Sequence, residues 1–278
     1  MSRCTGFAAL FGLALAAQGA VPLAIVNTAI EQTEGGAALP AAFEHVPGEI
    51  LFFSFQVQGY QASPDQKIRL RYKIEAFDPK GIPIVQPFQR PLEAELAPQD
   101  KEWKPKVRQE IAIPPLAPSG AYKFVVQVAD ELAKTVATRE VPFTVRGRSV
   151  PPSDTLVLRN FGFYRSEDAT EALRKAAYRP GDAVWARFDI TGFKHGPSNR
   201  MDVAYGIAVL NAEGKQLWAQ PEAAVERSES FYPKAYVPGS MSLSLQPSIR
   251  PGEYAIVVTV KDAVGGQTYE EKHTFAVE

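Results

Sequence analysis

Pro47-Gly48-Glu49-Ile50-Leu51-Phe52-Phe53-Ser54-Phe55-Gln56-Val57-Gln58-Gly59-Tyr60 returns 133 residues later as Pro180-Gly181-Asp182-Ala183-Val184-Trp185-Ala186-Arg187-Phe188-Asp189-Ile190-Thr191-Gly192-Phe193. Pro, Gly, the acid, one Phe, the β-branched residue, the second Gly and the closing aromatic coincide. The register then holds outward in both directions. Asn27 meets Asn160, Pro64 meets Pro197, Tyr72 and Ile74 meet Tyr205 and Ile207, and Asp78 and Gly81 meet Asn211 and Gly214. After one deletion the offset becomes 132: Gly120 and Tyr122 meet Gly252 and Tyr254, Asp130 meets Asp262, and Phe143 meets Phe275. One register held this far is the mark of an internal repeat. The reading is two homologous domains, residues 21–147 and 155–278, joined by a linker at 148–154. The junction Arg146-Gly147-Arg148-Ser149-Val150-Pro151-Pro152-Ser153 is polar, and its double proline favours stiff, extended geometry.

Each repeat reads as β-structure. In Lys67–Phe77 the apolar residues fall at 68, 70, 72, 74 and 76 with mostly charged neighbours. In a strand that spacing sends one apolar set to one face. Tyr122–Val128 and Tyr254–Val260 are β-rich runs of the same kind. Asp78-Pro79-Lys80-Gly81 and Asn211-Ala212-Glu213-Gly214 each open on a side chain that caps a turn and close on Gly, a hairpin signal read twice. Short strands at this spacing predict about seven per repeat, and hence an all-β chain of two tandem immunoglobulin-like antiparallel β-sandwich domains. Glu167–Ala176 is rich in helix formers and is read as an inserted turn or short helix between the first two strands of repeat 2.

Leu116-Ala117-Pro118-Ser119-Gly120-Ala121-Tyr122 resembles the tyrosine corner of immunoglobulin-like and fibronectin type III-like β-sandwich repeats, here of the exported bacterial kind. In that motif a Tyr at a strand start bonds back to nearby backbone. The second copy, Ile249-Arg250-Pro251-Gly252-Glu253-Tyr254, is one residue shorter. The closing Phe143-Thr144-Val145 and Phe275-Ala276-Val277 are similar to the last strand of such domains. The resemblance implies architecture and no particular function.

The N-terminus predicts export. Arg3 precedes an apolar run, Phe7–Ala17, and then small residues around Ala17-Gln18-Gly19-Ala20, the three-part layout of a signal peptide over residues 1–20. Cleavage after Gly19 or after Ala20 both fit, and an uncleaved anchor is the rival. Cys4, the single cysteine, precedes the run, so a cleaved chain has no disulfide and each domain stands on its own core. The predicted location is periplasmic or extracellular, with no membrane span after cleavage. The 278 residues carry 30 basic and 31 acidic side chains, intermixed, which offers no basic field for nucleic acid.

Chemistry is sparse in the sequence. His45, His195 and His273 lack metal-ligand spacing and are read as solvated surface residues. Acids recur at Glu49/Asp182 and Asp130/Asp262, where turn chemistry competes with calcium ligation. Glu226, Glu229 and Asp262 are weak candidates for a glycosidase pair. No cofactor and no metal are predicted. The aromatics Trp103, Trp218, Phe231, Tyr232 and Tyr236 fall in polar, proline-rich surroundings. They are weak binding candidates for a sugar face or a protein partner, against the alternative that they plug the sandwich. The expectation is a non-enzymatic interaction or structural module whose partner is another envelope or extracellular protein. The alternative is a glycan- or small-ligand-binding protein in which Phe231, Tyr232 and Tyr236 lie exposed and coplanar, and an enzyme ranks below both.

Overall fold

The computed structural model describes residues 21–100 and 102–278, so the predicted signal segment at 1–20 lies outside the described residues. Repeat 1 contributes β1 (Ala24–Glu31), β2 (Glu44–His45), β3 (Ile50–Gln58), β4 (Lys67–Phe77), β5 (Phe88–Glu95), β6 (Lys106–Ala112), β7 (Gly120–Asp130) and β8 (Thr135–Val145). Repeat 2 contributes β9 (Val157–Tyr164), β10 (Ala177–Tyr178), β11 (Ala183–Thr191), β12 (Met201–Asn211), β13 (Gln216–Ser228), β14 (Val237–Ser244), β15 (Gly252–Asp262) and β16 (Gln267–Val277). The strand orders are β1-β3-β6 against β2-β8-β7-β4-β5, and β9-β11-β14 against β10-β16-β15-β12-β13. Each strand of repeat 2 thus occupies the place of the strand eight before it, and the chain is two tandem immunoglobulin-like sandwiches. All pairings are antiparallel except the two-residue β2 on β8 and β10 on β16. Those short parallel pairs, where the chain crosses from the small sheet to the large one, are the additions to the seven expected strands.

The cores follow from the period-two pattern. Along β4, Ile68, Leu70, Tyr72, Ile74 and Ala76 are buried. They meet Leu51, Phe53, Phe55 and Val57 from β3, and Phe53 stacks on Phe124 at 4.4 Å. Burying each such side chain stabilises by roughly 1.5–3 kcal/mol. Repeat 2 solves the same packing differently. Phe53 pairs across the sheet with Ile30, and the corresponding pair is Ala186 with Phe163. The ring has moved to the other strand of the pair, which keeps an aromatic in the core while the Ile is exchanged for the smaller Ala.

Two backbone devices recur. Asn27 and Asn160 hold φ of 49° and 52° at the bulge of β1 and of β9, a conformation Asn tolerates. Each side chain bonds the next strand: Asn27 Nδ2 donates to Gln56 Oε1 at 2.6 Å, and Asn160 Nδ2 to Asp189 Oδ2 at 2.8 Å. Gly59 and Gly192 sit at φ of 71° and 81°, where an added Cβ would come within 2.1 and 1.9 Å of the carbonyl oxygens of Pro22 and Thr155. No other residue fits there. Both tyrosine corners are present: Tyr122 Oη donates to the Pro118 carbonyl and Tyr254 Oη to that of Arg250, each at 2.8 Å. The shorter second copy therefore makes the same bond.

Glu167–Ala176 forms bends and turns with no helix. So short a segment gains little from helix formation alone, and tertiary ties claim its backbone instead. Leu173 N–H donates to the Phe163 carbonyl at 2.7 Å, and the Arg187 guanidinium donates to the Ala169 carbonyl while lying 3.7 Å from the Tyr164 ring centroid. Among the described residues no helix is long and apolar enough to cross a membrane.

Candidate functional site

The two sandwiches meet pole to pole. β4 of repeat 1 ends in the Asp78 turn, where Asp78 Oδ1 accepts the N–H groups of Lys80 and Ile82, each at 2.8 Å. Its second oxygen stays free for another partner. That partner arrives from repeat 2, from the loop between β13 and β14. Asn199, in a 3-10 turn at Pro197–Asn199, donates from Nδ2 to the carbonyls of Ser230 and Phe231. Ser230 Oγ donates to the Tyr232 carbonyl at 2.7 Å, and Lys234 pairs with Glu226 at 2.5 Å. The loop so held projects Tyr232 into the core of repeat 1, among the cluster that contains Ile84 and Tyr122. Only 8% of Tyr232 remains exposed, and its hydroxyl donates to Asp78 Oδ2 at 2.9 Å.

Burial pushes the Tyr232 phenol far above its ordinary range, and the bond to Asp78 adds to the effect. Burial likewise pushes Tyr122 up to about 12, with the Asp78 charge contributing. Both phenols are protonated at neutral pH, so Tyr232 can serve as a charge-assisted donor. Beside this bond lies an apolar groove of about 570 Å3, lined by Ile84, Val85, Pro114, Pro115, Leu116 and Phe231, among others.

The linker is fastened to repeat 2. Arg148 Nε lies 3.1 Å from Asp189 Oδ2, and Asn160 Nδ2 also donates to the Ser149 carbonyl at 3.2 Å. Asp189 is fully buried, and its Oδ1 has no partner. Burial raises its carboxyl above the usual range in spite of Asn160 and Arg148.

The five candidate aromatics fall in four places. Tyr232 plugs the junction, and Phe231, 42% exposed, rims the groove beside it. Tyr236 is 5% exposed inside repeat 2, near Asp189 and Arg148. Trp103, also 42% exposed, lies at the far pole of repeat 1, where its carbonyl accepts from Tyr60 Oη at 2.6 Å. Trp218, with the same exposure, lies on β13 at the far pole of repeat 2. The expected coplanar, exposed trio of Phe231, Tyr232 and Tyr236 therefore does not form, because hydrophobic burial and the Asp78 bond draw the two tyrosines inward.

The recurring acids hold turns. Asp130 accepts Gln61, Leu132 and Ala133 N–H, and Asp262 accepts Lys194, Val264 and Gly265 N–H, at 2.7–3.1 Å. Glu49 accepts Val46 N–H and Asp182 accepts Arg179 N–H. Carboxylates so engaged have few lone pairs left for a cation. Among the described residues no three His, Cys, Asp or Glu side chains gather as a metal site. Glu226 is drawn to Lys234 and Asp262 to backbone, so the three acids weighed as a glycosidase pair have other partners or stand apart.

Two histidines depart from the solvated reading. His45 is 2% exposed and bonds Glu49 at 3.0 Å, and His273 is largely buried with its ring stacked 3.4 Å from Phe161. Their strands carry them into the sandwich, whereas His195 is exposed. Two buried acids escaped the sequence reading, Asp189 and Glu31. Burial works to raise the Glu31 carboxyl, but Lys106, Ser54 and the Gly35 N–H hold it below the usual carboxylate range. Its place in repeat 2 is taken by Tyr164, so the repeat alignment carried no signal for it.

Fold and junction define a chain of two immunoglobulin-like β-sandwich repeats locked by an aromatic plug. No protein-family model matches the chain, and no curated protein matches it. Solved structures resemble it weakly. The C-terminal domain of the antigen I/II-family protein AspA from Streptococcus pyogenes is 10% identical, with a TM-score of 0.34, over 93% of this chain and 100% of that one. The C-terminal domain of the AgI/II polypeptide BspA from Streptococcus agalactiae is 11% identical, with a TM-score of 0.32, over 92% and 100%. A family 123 glycoside hydrolase from Clostridium perfringens is 13% identical, with a TM-score of 0.31, over 45% of this chain. The match spans 27% of that hydrolase.

Proposed function

We propose that the chain is an exported, non-enzymatic interaction arm: two sandwiches held end to end, presenting their outer surfaces to another envelope or extracellular protein. The observation behind this reading is the buried Tyr232–Asp78 bond. It commits the most promising aromatic to joining the repeats, in the way a spacer requires. The linker supports the same reading, since Arg148 and Ser149 are tied to repeat 2.

The test is a distance measurement between spin labels at Glu93→Cys and Lys272→Cys, in a Cys4→Ser background. A rigid arm gives one narrow distribution, which Tyr232→Ala broadens. A broad distribution in the unmutated junction would overturn the arm. Crosslinking to envelope and secreted extract then identifies the protein bound.

A second reading rests on the half-exposed Phe231 beside the apolar groove. Such a ring can stack on a sugar face. Binding on a glycan array that Phe231→Ala abolishes would favour it over a protein partner.

A further inference from the structure

The junction uses one pole of each repeat, and among the described residues the opposite pole of each makes no contact with the other repeat. The covered pole of repeat 1 is built on the Asp78 turn, with Ile84 only 3% exposed beneath the repeat 2 loop. The free pole of repeat 2 is its homologue. The bridge Phe77–Pro83 matches Leu210–Gln216, and the Asp78–Ile82 turn bond matches Asn211–Lys215. Ile84 and Val85 therefore correspond to Leu217 and Trp218. There the exposure reverses: Leu217 is 52% and Trp218 42% exposed. The register of β12 on β13 slips at this point, leaving Leu217 without a partner on β12. Two large adjacent apolar side chains are about half exposed where the other copy has Ile84 buried and Val85 half-buried along the junction groove.

The free pole of repeat 1 offers the complement. It is homologous to the pole of repeat 2 that supplies Tyr232. β3 starts just after Gly48, which lines the junction groove, and ends just before Gly59 and Tyr60, which line a second groove of about 920 Å3. Val21, Pro22, Leu23, Tyr60 and Trp103 give this groove apolar walls.

We infer that the Leu217–Trp218 pole of repeat 2 seats the Trp103 pole of repeat 1 of a second copy of this chain. The contact would join poles homologous to those already joined within one chain, with the apolar Leu217, Trp218 and Trp103 in place of the Tyr232–Asp78 bond. It is heterologous, so it leaves a free pole at each end and adds further copies in line. This inference rests on the end-to-end reading above.

The test uses the full chain. In a Cys4→Ser background, Trp103→Cys and Trp218→Cys proteins are mixed under mild oxidation, and mass is followed against concentration by sedimentation. The expected result is a disulfide-linked pair formed from the mixture and far less from either protein alone. The cysteine-free parent should also show a weight-average mass that climbs past the dimer with concentration, and Leu217→Asp/Trp218→Asp should lose that climb. A parent that stays monomeric up to about 1 mM, where contacts weaker than about −4 kcal/mol go unseen, overturns the inference. So does equal crosslinking of each protein with itself. The spin-label distance within one chain is read on the same Leu217→Asp/Trp218→Asp protein. A narrow distribution there, together with a monomeric parent, overturns this contact and leaves the rigid arm standing.

Discussion

Two side chains decide how the repeats behave. Tyr232 and Asp78 close the junction with one buried bond, and the alignment shows why only this junction has it: repeat 2 carries Asn211 where repeat 1 carries Asp78. Tyr232→Phe keeps the ring and removes the donor, which should cost about 1–3 kcal/mol in urea unfolding because Asp78 is left short of a partner. The raised phenols of Tyr232, Tyr122 and Tyr178 give stability that is full below about pH 10 and lost as pH climbs through their folded values. Tyr232→Phe should make alkaline unfolding shallower by the proton it removes. Asp189 follows the same sign. Its raised carboxyl favours the fold at low pH and weakens it as pH rises through the raised value. Relative to the parent, Asp189→Asn should therefore gain stability as pH rises from about 4 through the raised value, and a pH series of urea midpoints reads the slope. Arg148 and Tyr236 are the ionisable groups that face it, and Arg148→Gln separates the ion pair from the burial.

Among elements, the hairpins β7–β8 and β15–β16 show how duplication preserves a device. Asp130 and Asp262 each hold their hairpin turn and also reach back to the chain just beyond β3 or β11, at Gln61 and Lys194. Asp130→Ala and Asp262→Ala should each destabilise by roughly 1–3 kcal/mol, since several N–H groups lose an acceptor. Hydrogen exchange should quicken at Leu132 and Ala133 in the first variant and at Val264 and Gly265 in the second, each without effect on the other hairpin. Spreading to the opposite repeat would mean the turns are not local staples. The segment after β9 shows the contrary case. Its helix-forming composition yields to Arg187 and to the Phe163 carbonyl, because tertiary ties outweigh propensity over so few residues.

At the scale of the molecule, the plug buries a residue of repeat 2 in the core of repeat 1, so the two domains are expected to unfold as one cooperative unit. Tyr232→Ala removes a large ring from a packed interface, a change of about 3–5 kcal/mol in a core. It should split a single thermal transition into two, the mark of domains unfolding separately. A single transition that merely shifts downward would mean that the linker contacts at Arg148 and Ser149 suffice to couple the repeats.

The strands, the repeat and both tyrosine corners were legible in the sequence because they rest on local periodicity and on turn chemistry, and a duplication prints these twice. The Asp130/Asp262 and Asp78/Asn211 turns were legible for the same reason. What the junction does was not. A tyrosine in a proline-flanked loop reads alike whether it meets solvent, a ligand or a neighbouring domain, and only the approach of Asp78, 154 residues away, decides among them. The burial of His45 and His273, the ionised Glu31, and the exposure of Leu217 and Trp218 likewise belong to the tertiary structure. Each depends on which surfaces face one another across the sandwich or across the poles, and period-two patterning assigns a side chain to a face without saying what covers that face.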